Sequence, residues 1–465
     1  MSSDLEARNA AIDGVFELAD AGNAERLVAR HGQDLRYVPG LGWLIWDKRR
    51  WSRDRTGALQ RLAKLTAQAI YNDAANCGDD DERKRILAWA HKSLMEPRLR
   101  AMVSLATTER PVVALPEQLD ADPWQFTVLN GTIQLKTGEL RAHDPADLIT
   151  KLAPVTFRPG ARSSAWEEFI DTTTGGDAQL SAFLQSVVGY TLTGDTREEV
   201  LLFAHGPAAT GKSTFLESVK SMLGDCACTA DFETFLRRRG DAGVRNDIAR
   251  LAGARMVVSI EVDDGKQLAE GLIKALTGGD TVAARYLYSE AFEFTPRFKL
   301  WLAANHRPRV RADDEAMWRR IIQIPFTNAV PEGKRDPTLK ARFKTDPEIK
   351  SAILAWAVQG CLDWQRNGLA IPESVRAYTA EYRTENDALA EWIADECQLG
   401  AQHWTATPEL RAAYEHWCED AGSKPLDAGR AWGNALKAHG CERAKRHVGH
   451  GWKGITLTPV PRSPT

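Results

Sequence analysis

The first third of the chain alternates between apolar residues at helical spacing and short runs at strand spacing. Helical spacing predicts a helix over residues 4–31 and further helices over about residues 56–106, interrupted by an acidic turn. An aromatic, strand-like segment covers residues 35–46, and residues 125–157 have the pattern of short strands joined by glycine-containing turns. We therefore predict an α+β accessory or oligomerisation domain at residues 1–160.

The middle of the chain contains compact apolar runs separated by helical patterns. The runs are Val200–Ala204, Met256–Ile260 and Lys299–Ala304. Continuous apolar runs are typical of strands that are buried on both faces of a parallel sheet. Because these runs alternate with helices, the sequence predicts an α/β core. With the mainly helical residues 335–383 as its flank, we place this domain at residues 161–375.

The tail, residues 376–465, has two or three helical patterns followed by Val448–Leu457, which suits a β-hairpin. Its tryptophans, Trp404 among them, are interpreted as core anchors. Helices followed by a basic hairpin predict a winged-helix-like domain that binds duplex DNA at an origin or fork. Residues 437–453 hold five cations against one acid, Glu442: Lys437, Arg443, Lys445, Arg446 and Lys453. We expect the last four to contact DNA.

Composition indicates which environments and partners the protein has. The chain has 465 residues, of which 43% are apolar and 26% charged, and its formal net charge is −3. Because the net charge is close to zero, any contact with nucleic acid must come from local basic patches. No apolar stretch approaches the roughly 20 residues of a membrane span, and the first residues lack an export signal. The seven cysteines have no CxxC spacing, so we expect a reduced cytosolic environment.

One motif indicates a specific chemistry. The run Gly206–Thr214 lies between the apolar run that ends at Ala204 and a helical stretch at Phe215–Leu223. In this strand–loop–helix context, glycines let consecutive N–H groups point at phosphate oxygens, and the positive helix end adds to the attraction. Lys212 would reach the β- and γ-phosphates, and the Ser213 hydroxyl would ligate Mg²⁺. The sequence therefore predicts ATP binding by Gly206, Pro207, Ala208, Ala209, Thr210, Gly211, Lys212, Ser213 and Thr214.

Carboxylates follow the second apolar run. Glu261 and Asp263 come directly after Met256–Ile260, at the expected carboxyl end of a buried strand. Carboxylates in this place can hold Mg²⁺ and accept a proton from an attacking water. We assign Glu261 to the metal and treat Asp263 as the second candidate. The alternative is a solvated acidic turn.

Polar residues at two further strand boundaries complete the predicted site. Asn305 follows Lys299–Ala304, where its amide can orient the lytic water and sense the γ-phosphate; a turn-forming asparagine is the alternative. Arg319 and Arg320 precede the apolar run that ends at Phe326. They form either a solvated edge or an arginine finger that stabilises charge on the transferred phosphoryl group. If they act across a subunit boundary, the protein is an oligomer, and head-to-tail contacts that close make a ring.

The order of these motifs resembles that of the superfamily 3 helicases. The matching segments, in chain order, are Gly206–Thr214, Met256–Asp264, Lys274–Asp280, Phe298–Asn305 and Trp318–Phe326. More narrowly, about residues 35–330 are similar to the helicase part of phage and plasmid primase–helicases and their poxvirus relatives. The resemblance implies a P-loop, AAA+-like ATPase core, a ring that is usually a hexamer, and ATP-driven movement along single-stranded DNA.

The resemblance also implies roles for single residues. It assigns Lys212 and Ser213 to the phosphate loop, Glu261 to the acidic metal motif and Asn305 to the sensor. Either Arg319 or Arg320 is the finger. Lys274 matches a basic position that contacts the nucleotide of the neighbouring subunit.

Residues 281–294 correspond to a hairpin that projects into the channel of the ring. A translocating hairpin must hold phosphates without recognising sequence, which a cation and flat side chains do well. Arg285 offers the cation, and Tyr286 and Tyr288 offer the flat side chains. Sheet packing is the alternative for the tyrosines.

Together, the motifs predict an ATP-dependent replicative DNA helicase of a phage, plasmid or integrated element. We expect it to act on single-stranded and forked DNA in the cytoplasm of a bacterial host. The alternatives are an origin-binding initiator or loader ATPase and a P-loop small-molecule kinase. Fused family members carry a primase module ahead of the helicase, whereas about 35 residues precede the resemblance here. We therefore expect a separate primase or replication protein as a partner.

Overall fold

The computed structural model describes most of the chain. The described ranges are residues 16–237, 246–260, 266–285, 291–310, 314–385, 388–420, 425–426, 428, 430–447 and 449–458. Within them, no helix has both the length and the apolarity that crossing a membrane requires.

The N-terminal part combines helices with a small antiparallel sheet. Its elements are α1 (Asp20–His31), β1 (Leu35–Val38), β2 (Gly42–Trp46), β3 (Trp51–Arg53), α2 (Ala58–Ala75), α3 (Asp80–Ser93) and α4 (Glu96–Ala106). The predicted strand over residues 35–46 is two strands, because Val38 and Gly42 pair across a tight turn. The acidic turn is a helix start: the Asp79 carboxylate accepts a hydrogen bond from the Glu82 N–H at 2.7 Å.

Residues 125–141 form a second small sheet, which shares its core with the middle of the chain. The strands are β4 (Gln125–Val128), β5 (Gly131–Gln134) and β6 (Glu139–Arg141). Phe126 and Ile133 are buried in the same cluster as Val187. The buried Arg255 guanidinium donates hydrogen bonds of 2.6 to 3.0 Å to the carbonyl oxygens of Pro123, Leu192 and Gln125. Because a buried guanidinium needs such acceptors, this contact attaches the small sheet to the main one.

The main sheet is parallel and five-stranded. The elements of this region are α5 (Ser164–Thr174), α6 (Ala178–Leu192), β7 (Leu201–His205), α7 (Lys212–Leu223), β8 (Ala227–Thr229), α8 (Asn246–Ala249), β9 (Met256–Ile260), α9 (Glu270–Thr277), β10 (Val282–Arg285), β11 (Ala291–Phe294), β12 (Lys299–Ala304), α10 (Glu315–Trp318) and β13 (Ile321–Pro325). The strand order is β13-β7-β12-β9-β8, and β10 pairs with β11 in a separate antiparallel ladder. The three apolar runs are strands of this sheet, so the predicted α/β core is confirmed and is compatible with a P-loop-like core.

A helical flank and a small α/β unit follow. The flank consists of α11 (Leu339–Thr345), α12 (Pro347–Asn367) and α13 (Glu373–Glu385). The last unit consists of α14 (Ala388–Glu396), β14 (Cys397–Ala406), α15 (Thr407–Asp420), α16 (Arg430–Ala438), β15 (Glu442–Arg446) and β16 (Gly449–Leu457). Its antiparallel sheet has the order β14-β16-β15.

The prediction of a hairpin within Val448–Leu457 is wrong. Residues 449–457 form one strand, and its hairpin partner is the preceding strand β15. Gly451 does not mark a turn: a Cβ atom there would lie 2.4 Å from ring atoms of Trp404 on β14. The glycine is therefore needed for close packing within a sheet, which the local sequence pattern cannot distinguish from a turn.

Candidate nucleotide-binding site

The predicted phosphate loop leaves the carboxyl end of β7, one of the inner strands. Gly206 has φ +151°, and a Cβ atom at this position would lie 1.9 Å from the Phe326 carbonyl oxygen. The Phe326 N–H in turn donates a hydrogen bond to the His205 carbonyl oxygen at 2.8 Å. Only glycine allows so close an approach of two backbones. The loop therefore begins pressed against the chain that leaves β13.

Helix α7 presents free N–H groups to the loop. Gly211 precedes the helix, and the first intrahelical bond runs from Phe215 N–H to the Gly211 carbonyl oxygen at 2.8 Å. The N–H groups of Lys212, Ser213 and Thr214 consequently have no acceptor within the helix, and the helix dipole is positive here. Exposed at this end, the Ser213 hydroxyl is available to a ligand. Such a helix start can bind a phosphate group.

Lys212 is buried inside the loop. Its ammonium donates hydrogen bonds to the carbonyl oxygens of Gly206 at 2.5 Å and Pro207 at 2.7 Å, and to Thr210 Oγ1 at 3.4 Å. Burial lowers the pKa of this ammonium from its ordinary value. The loop thus surrounds one cation with its own carbonyls, next to the N–H groups of α7.

Two further segments support the loop from behind. A Cβ atom at Gly211 would lie 3.0 Å from Thr173 Oγ1, so α5 packs directly against the loop. The Val330 N–H donates to the Ala209 carbonyl oxygen at 3.0 Å, and Asn328 Nδ2 donates to the Thr173 carbonyl oxygen at 3.1 Å. The segment after β13 and the end of α5 therefore hold the loop in one conformation.

Asn305 lies beside the start of the loop. In the register of β12 and β7, Ala304 pairs with His205, so Asn305 and Gly206 are the next residues of adjacent strands. Adjacent strands are about 4.8 Å apart. The Asn305 side chain is exposed, which leaves its amide free to face a ligand at this edge. Its sensor role stays a prediction.

The predicted carboxylates and tyrosines fall outside the described residues. Strand β9 ends at Ile260, which pairs with Ala303 of β12 at the same edge of the sheet. Glu261 and Asp263, which follow it, and Tyr286 and Tyr288 belong to undescribed segments. No group of three or more His, Cys, Asp or Glu side chains gathers to hold a metal ion within the described ranges. For Mg²⁺, the oxygen donor that the structure describes is the Ser213 hydroxyl.

Arg319 and Arg320 lie at the opposite edge of the sheet from the loop. The Arg320 carbonyl oxygen accepts a hydrogen bond at 2.7 Å from the N–H of Leu201, where β7 begins. The five-residue strand β7 separates this point from the loop by about 17 Å. The Arg320 side chain is 8% exposed and pairs with Glu199 at 2.8 Å, whereas the Arg319 side chain is 67% exposed. Of the two arginines, Arg319 is therefore the one that can reach a neighbouring molecule.

Lys274 is held within its own chain. Its ammonium donates to Asp314 Oδ2 at 2.7 Å, and Asp314 also caps α10 through the Met317 N–H. A Cβ atom at Gly278 would lie 3.3 Å from Arg320 Nη2, so α9 ends beside the two arginines. Lys274 therefore lies near the arginine edge, but with a carboxylate partner already in place.

The predicted channel hairpin is an antiparallel pair of strands. Val282 pairs with Phe294, and Arg285 pairs with Ala291 at the far end of the ladder. Arg285 is exposed there, while Ala284 is buried against the core. The hairpin itself is confirmed, and the DNA contacts of Arg285 stay a prediction.

The sequence did not indicate a polar network behind the loop. His205 Nδ1 and the Tyr378 hydroxyl are 2.7 Å apart, and the Arg307 guanidinium carbon lies 4.9 Å from the centre of the Tyr378 ring. Arg307 also donates to Glu381 at 2.9 Å and to Gln323 Oε1 at 3.1 Å. This network ties the segment after Asn305 to α13. Because its members come from four distant segments, no local signal could have found it.

The basic residues of the tail lie on β15 and β16, and all four are exposed. The Arg443 guanidinium carbon lies 5.4 Å from the centre of the Trp452 ring, and that of Arg446 lies 5.1 Å from the centre of the Trp404 ring. The predicted patch is thus a sheet surface with two cation–π pairs.

Two protein families match the chain. Residues 24–175 match the family described as "D5 N terminal like". Residues 204–320, which contain the loop, β9, the hairpin, β12 and Arg320, match a family of unknown function, DUF5906.

Curated relatives are viral proteins. "Putative helicase 022R" of Frog virus 3 is 25% identical over 418 residues, which are 73% of this chain and 43% of that protein. "Putative helicase L207/L206" of Acanthamoeba polyphaga mimivirus is 29% identical over 235 residues, which are 47% of this chain and 24% of that protein. The chain thus spans less than half the length of these relatives.

Among solved structures, the apo structure of the NrS-1 C terminal region has a TM-score of 0.40 at 12% identity, with 69% of this chain and 88% of that chain covered. The two family matches and the viral relatives agree with the motif order. These matches support the resemblance of the chain to the primase–helicases of phages and viruses.

Proposed function

We propose that this protein hydrolyses ATP at the loop after β7 and uses the cycle to move single-stranded DNA, as a replicative helicase does. The main support is the loop. Free N–H groups of α7, the buried Lys212 and the exposed Asn305 lie together at one edge of the parallel sheet. Ligands of open parallel sheets bind at this carboxyl edge. The viral relatives named as helicases support the same activity.

Each residue of the site has its own role in ATP binding and hydrolysis. The loop N–H groups and Lys212 bind the β- and γ-phosphates, and Ser213, with Glu261 and Asp263 as the predicted carboxylates, holds Mg²⁺. When bound, Mg²⁺ neutralises charge on the phosphate oxygens. Asn305 orients the attacking water toward the γ-phosphate. The arginines lie too far from their own loop to take part in these steps, and Lys274 is already paired with Asp314.

The distance between loop and arginines supports a shared site. An arginine about 17 Å from its own loop can stabilise the transferred phosphoryl group only in a neighbouring subunit. Arg319 is the exposed member of the pair and is our choice for the finger. A head-to-tail interface of this kind closes into a ring, and a hexamer is the expected size.

The hairpin β10–β11 supplies the predicted contact with DNA. Arg285 stands exposed at its far end, where a cation can hold a phosphate without recognising sequence. The element order of the last unit, one helix, one strand, two helices and two strands, supports the winged-helix-like assignment. Such a unit also fits the alternative of an origin-binding initiator that melts DNA without processive unwinding.

Strand displacement on a forked substrate tests the proposal. We expect ATP turnover stimulated by single-stranded DNA and displacement of the paired strand, with both lost in Lys212→Ala. Lys220→Ala, a lysine of the same helix outside the loop, is the matched control and should keep both. Stimulated turnover without displacement would favour the initiator. No stimulation by DNA, with transfer of phosphate to a small molecule, would favour a kinase and overturn the proposal.

A further inference from the structure

Charged residues in the last unit divide by element. Helices α14 and α15 are acidic, and β15 and β16 are basic. The acids of the two helices are Glu391, Asp395, Glu396, Glu409, Glu415, Glu419 and Asp420. On α15, Arg411 donates to Glu415 at 2.6 Å, so its charge is compensated. A polyanion would therefore be repelled from α14 and α15 and attracted to the sheet.

The cations of the sheet outnumber its acids four to one within the described structure. Other surface arginines have carboxylate partners, as Arg366 has Asp363. In contrast, no ion pair to a described residue is formed by the four cations of the sheet: Arg443, Lys445, Arg446 and Lys453. Cross-strand pairing sets Lys453 opposite Glu442, the one acid of these strands. The sheet thus keeps positive charge that is available to a ligand.

Strand register assigns these side chains to two faces. Cross-strand partners share a face, and Lys453 pairs with Trp404, whereas Trp452 pairs with Thr405. Trp452 is buried against the helices, so its face is the core face. Arg446 pairs with Gly449, which lies on the same side of β16 as Lys453. Trp404, Arg446 and Lys453 therefore occupy the face turned away from the helices.

Trp404 holds Arg446 in a defined orientation. The indole ring lies over Gly451, where a Cβ atom would be 2.4 Å from two ring atoms, and the Arg446 guanidinium lies 5.1 Å from the ring centre. A guanidinium stacked on an aromatic ring loses little freedom when it binds a phosphate, and its plane can stack on a base. Gly451 of β16 has no side chain, which is what lets the indole ring lie directly against the strand on this face. The stacked pair therefore offers a flat surface to a base.

We infer that this face of the C-terminal sheet is a second binding surface for single-stranded DNA. Arg446 and Lys453 contact phosphates, and the Trp404–Arg446 stack supports unpaired bases. Duplex DNA, which a winged helix would hold with a helix in the major groove, is the competing occupant, since α16 carries Arg430 and Lys437 and no acid. We favour single-stranded DNA because the stacked Trp404–Arg446 pair suits unpaired bases. The inference rests on the proposed function for the choice of nucleic acid, and it deepens that function by adding a contact outside the channel hairpin.

Binding of a labelled 20-mer of dT to the full chain, without nucleotide, tests the inference. We expect the double variant Arg446→Gln/Lys453→Gln to weaken binding by about tenfold and to lower the slope of log affinity against log salt by about 1.4. The double variant Lys64→Gln/Lys340→Gln removes the same charge from exposed sites outside the last unit and should change binding by less than about twofold. A blunt duplex of the same length should respond less than the single strand.

Two further variants separate stacking from charge. Arg446→Lys keeps the charge but loses the planar stack, so we expect an affinity between the wild type and Arg446→Gln. Trp404→Leu should bind with an affinity similar to that of Arg446→Lys. If Trp404→Leu does not fold, Arg446→Lys alone still tests whether stacking contributes. Wild-type affinity in the Arg446→Gln/Lys453→Gln variant, or equal losses on duplex and single strand, would overturn the inference. Lys212→Ala should lose ATP turnover yet still bind the dT 20-mer. The experiment therefore distinguishes a failure of the proposed ATPase activity from a failure of the inferred DNA-binding surface.

Discussion

The Arg320 guanidinium and the Glu199 carboxylate form an ion pair of 2.8 Å that joins the turn before β7 to the start of β13. Arg320 is buried in this pair and also donates to the Ala316 carbonyl oxygen at 2.8 Å. Arg319, its neighbour in the chain, approaches the same carboxylate only to 3.6 Å and remains exposed. Two adjacent arginines thus have different physical roles.

Alanine at each position should separate these roles. Arg320→Ala leaves Glu199 without its partner and removes a buried side chain, so we expect the free energy of unfolding to fall by about 2–3 kcal/mol. Arg319→Ala should change it by less than about 0.5 kcal/mol but reduce ATP turnover at least about 100-fold. Urea unfolding and steady-state ATP hydrolysis measure the two effects. If Arg319 acts across subunits, mixing Arg319→Ala with Lys212→Ala subunits should restore part of the turnover.

Gly206→Ala tests the close approach at the start of the loop. The added Cβ atom would lie 1.9 Å from the Phe326 carbonyl oxygen, so the loop must move. We expect loss of ATP binding and a fall of about 2–4 kcal/mol in the free energy of unfolding. Gly160→Ala, at φ +74° with no atom within 4 Å, is the control for backbone strain alone and should cost about 1 kcal/mol. Equal losses in both variants would contradict the assigned contact.

His205 should make stability depend on pH. Burial, with the nearby charges of Arg307 and Lys212, lowers the pKa of His205 to about 4. An unfolded histidine titrates near pH 6.5, so between about pH 4 and 6.5 the unfolded state binds more protons than the folded state. The contribution of His205 to the free energy of unfolding is therefore fully present above about pH 6.5. It falls by about 2 kcal/mol toward pH 4, after allowance for the partial exposure of the side chain.

Urea unfolding at several pH values checks this dependence. Between pH 4.5 and 6.5, the free energy of unfolding of His205→Gln should change with pH less steeply than that of the wild type. We expect the difference to be about 2 kcal/mol or less over that range. His91→Gln, an exposed histidine on α3, is the control and should leave the slope unchanged. An unchanged slope in His205→Gln would show that another group carries the dependence.

Arg307 should position Asn305 without touching the nucleotide. It holds the segment two residues beyond Asn305 through Glu381, Gln323 and the Tyr378 ring. We expect Arg307→Gln to lower kcat for ATP hydrolysis about tenfold or more with little change in KM, because the water-orienting amide shifts while the loop stays. Arg307→Lys should recover part of kcat. Arg383→Gln on α13, the helix that carries Tyr378 and Glu381, is the control. A change confined to KM would refute the positioning role.

Several features followed from local sequence. The strand–loop–helix around Lys212 and the buried strands β9 and β12 were predicted from apolar runs and glycine spacing and are confirmed. The hairpin β10–β11 was expected from the family resemblance and is also confirmed. The local patterns suffice because a continuous apolar run favours a buried strand, and glycine followed by a helix favours a loop with free N–H groups.

Other features depend on residues that are far apart in the chain. His205 meets Tyr378 across 173 residues. Trp404 lies over Gly451, inside a single strand where the sequence predicted a hairpin. The chain by itself determined which segments are strands and where a triphosphate is expected to bind. Only the tertiary structure decided that Arg320 is buried while Arg319 is exposed, and which face carries Arg446. Burial and facing are set by the order and register of strands, and these depend on the packing of the whole chain.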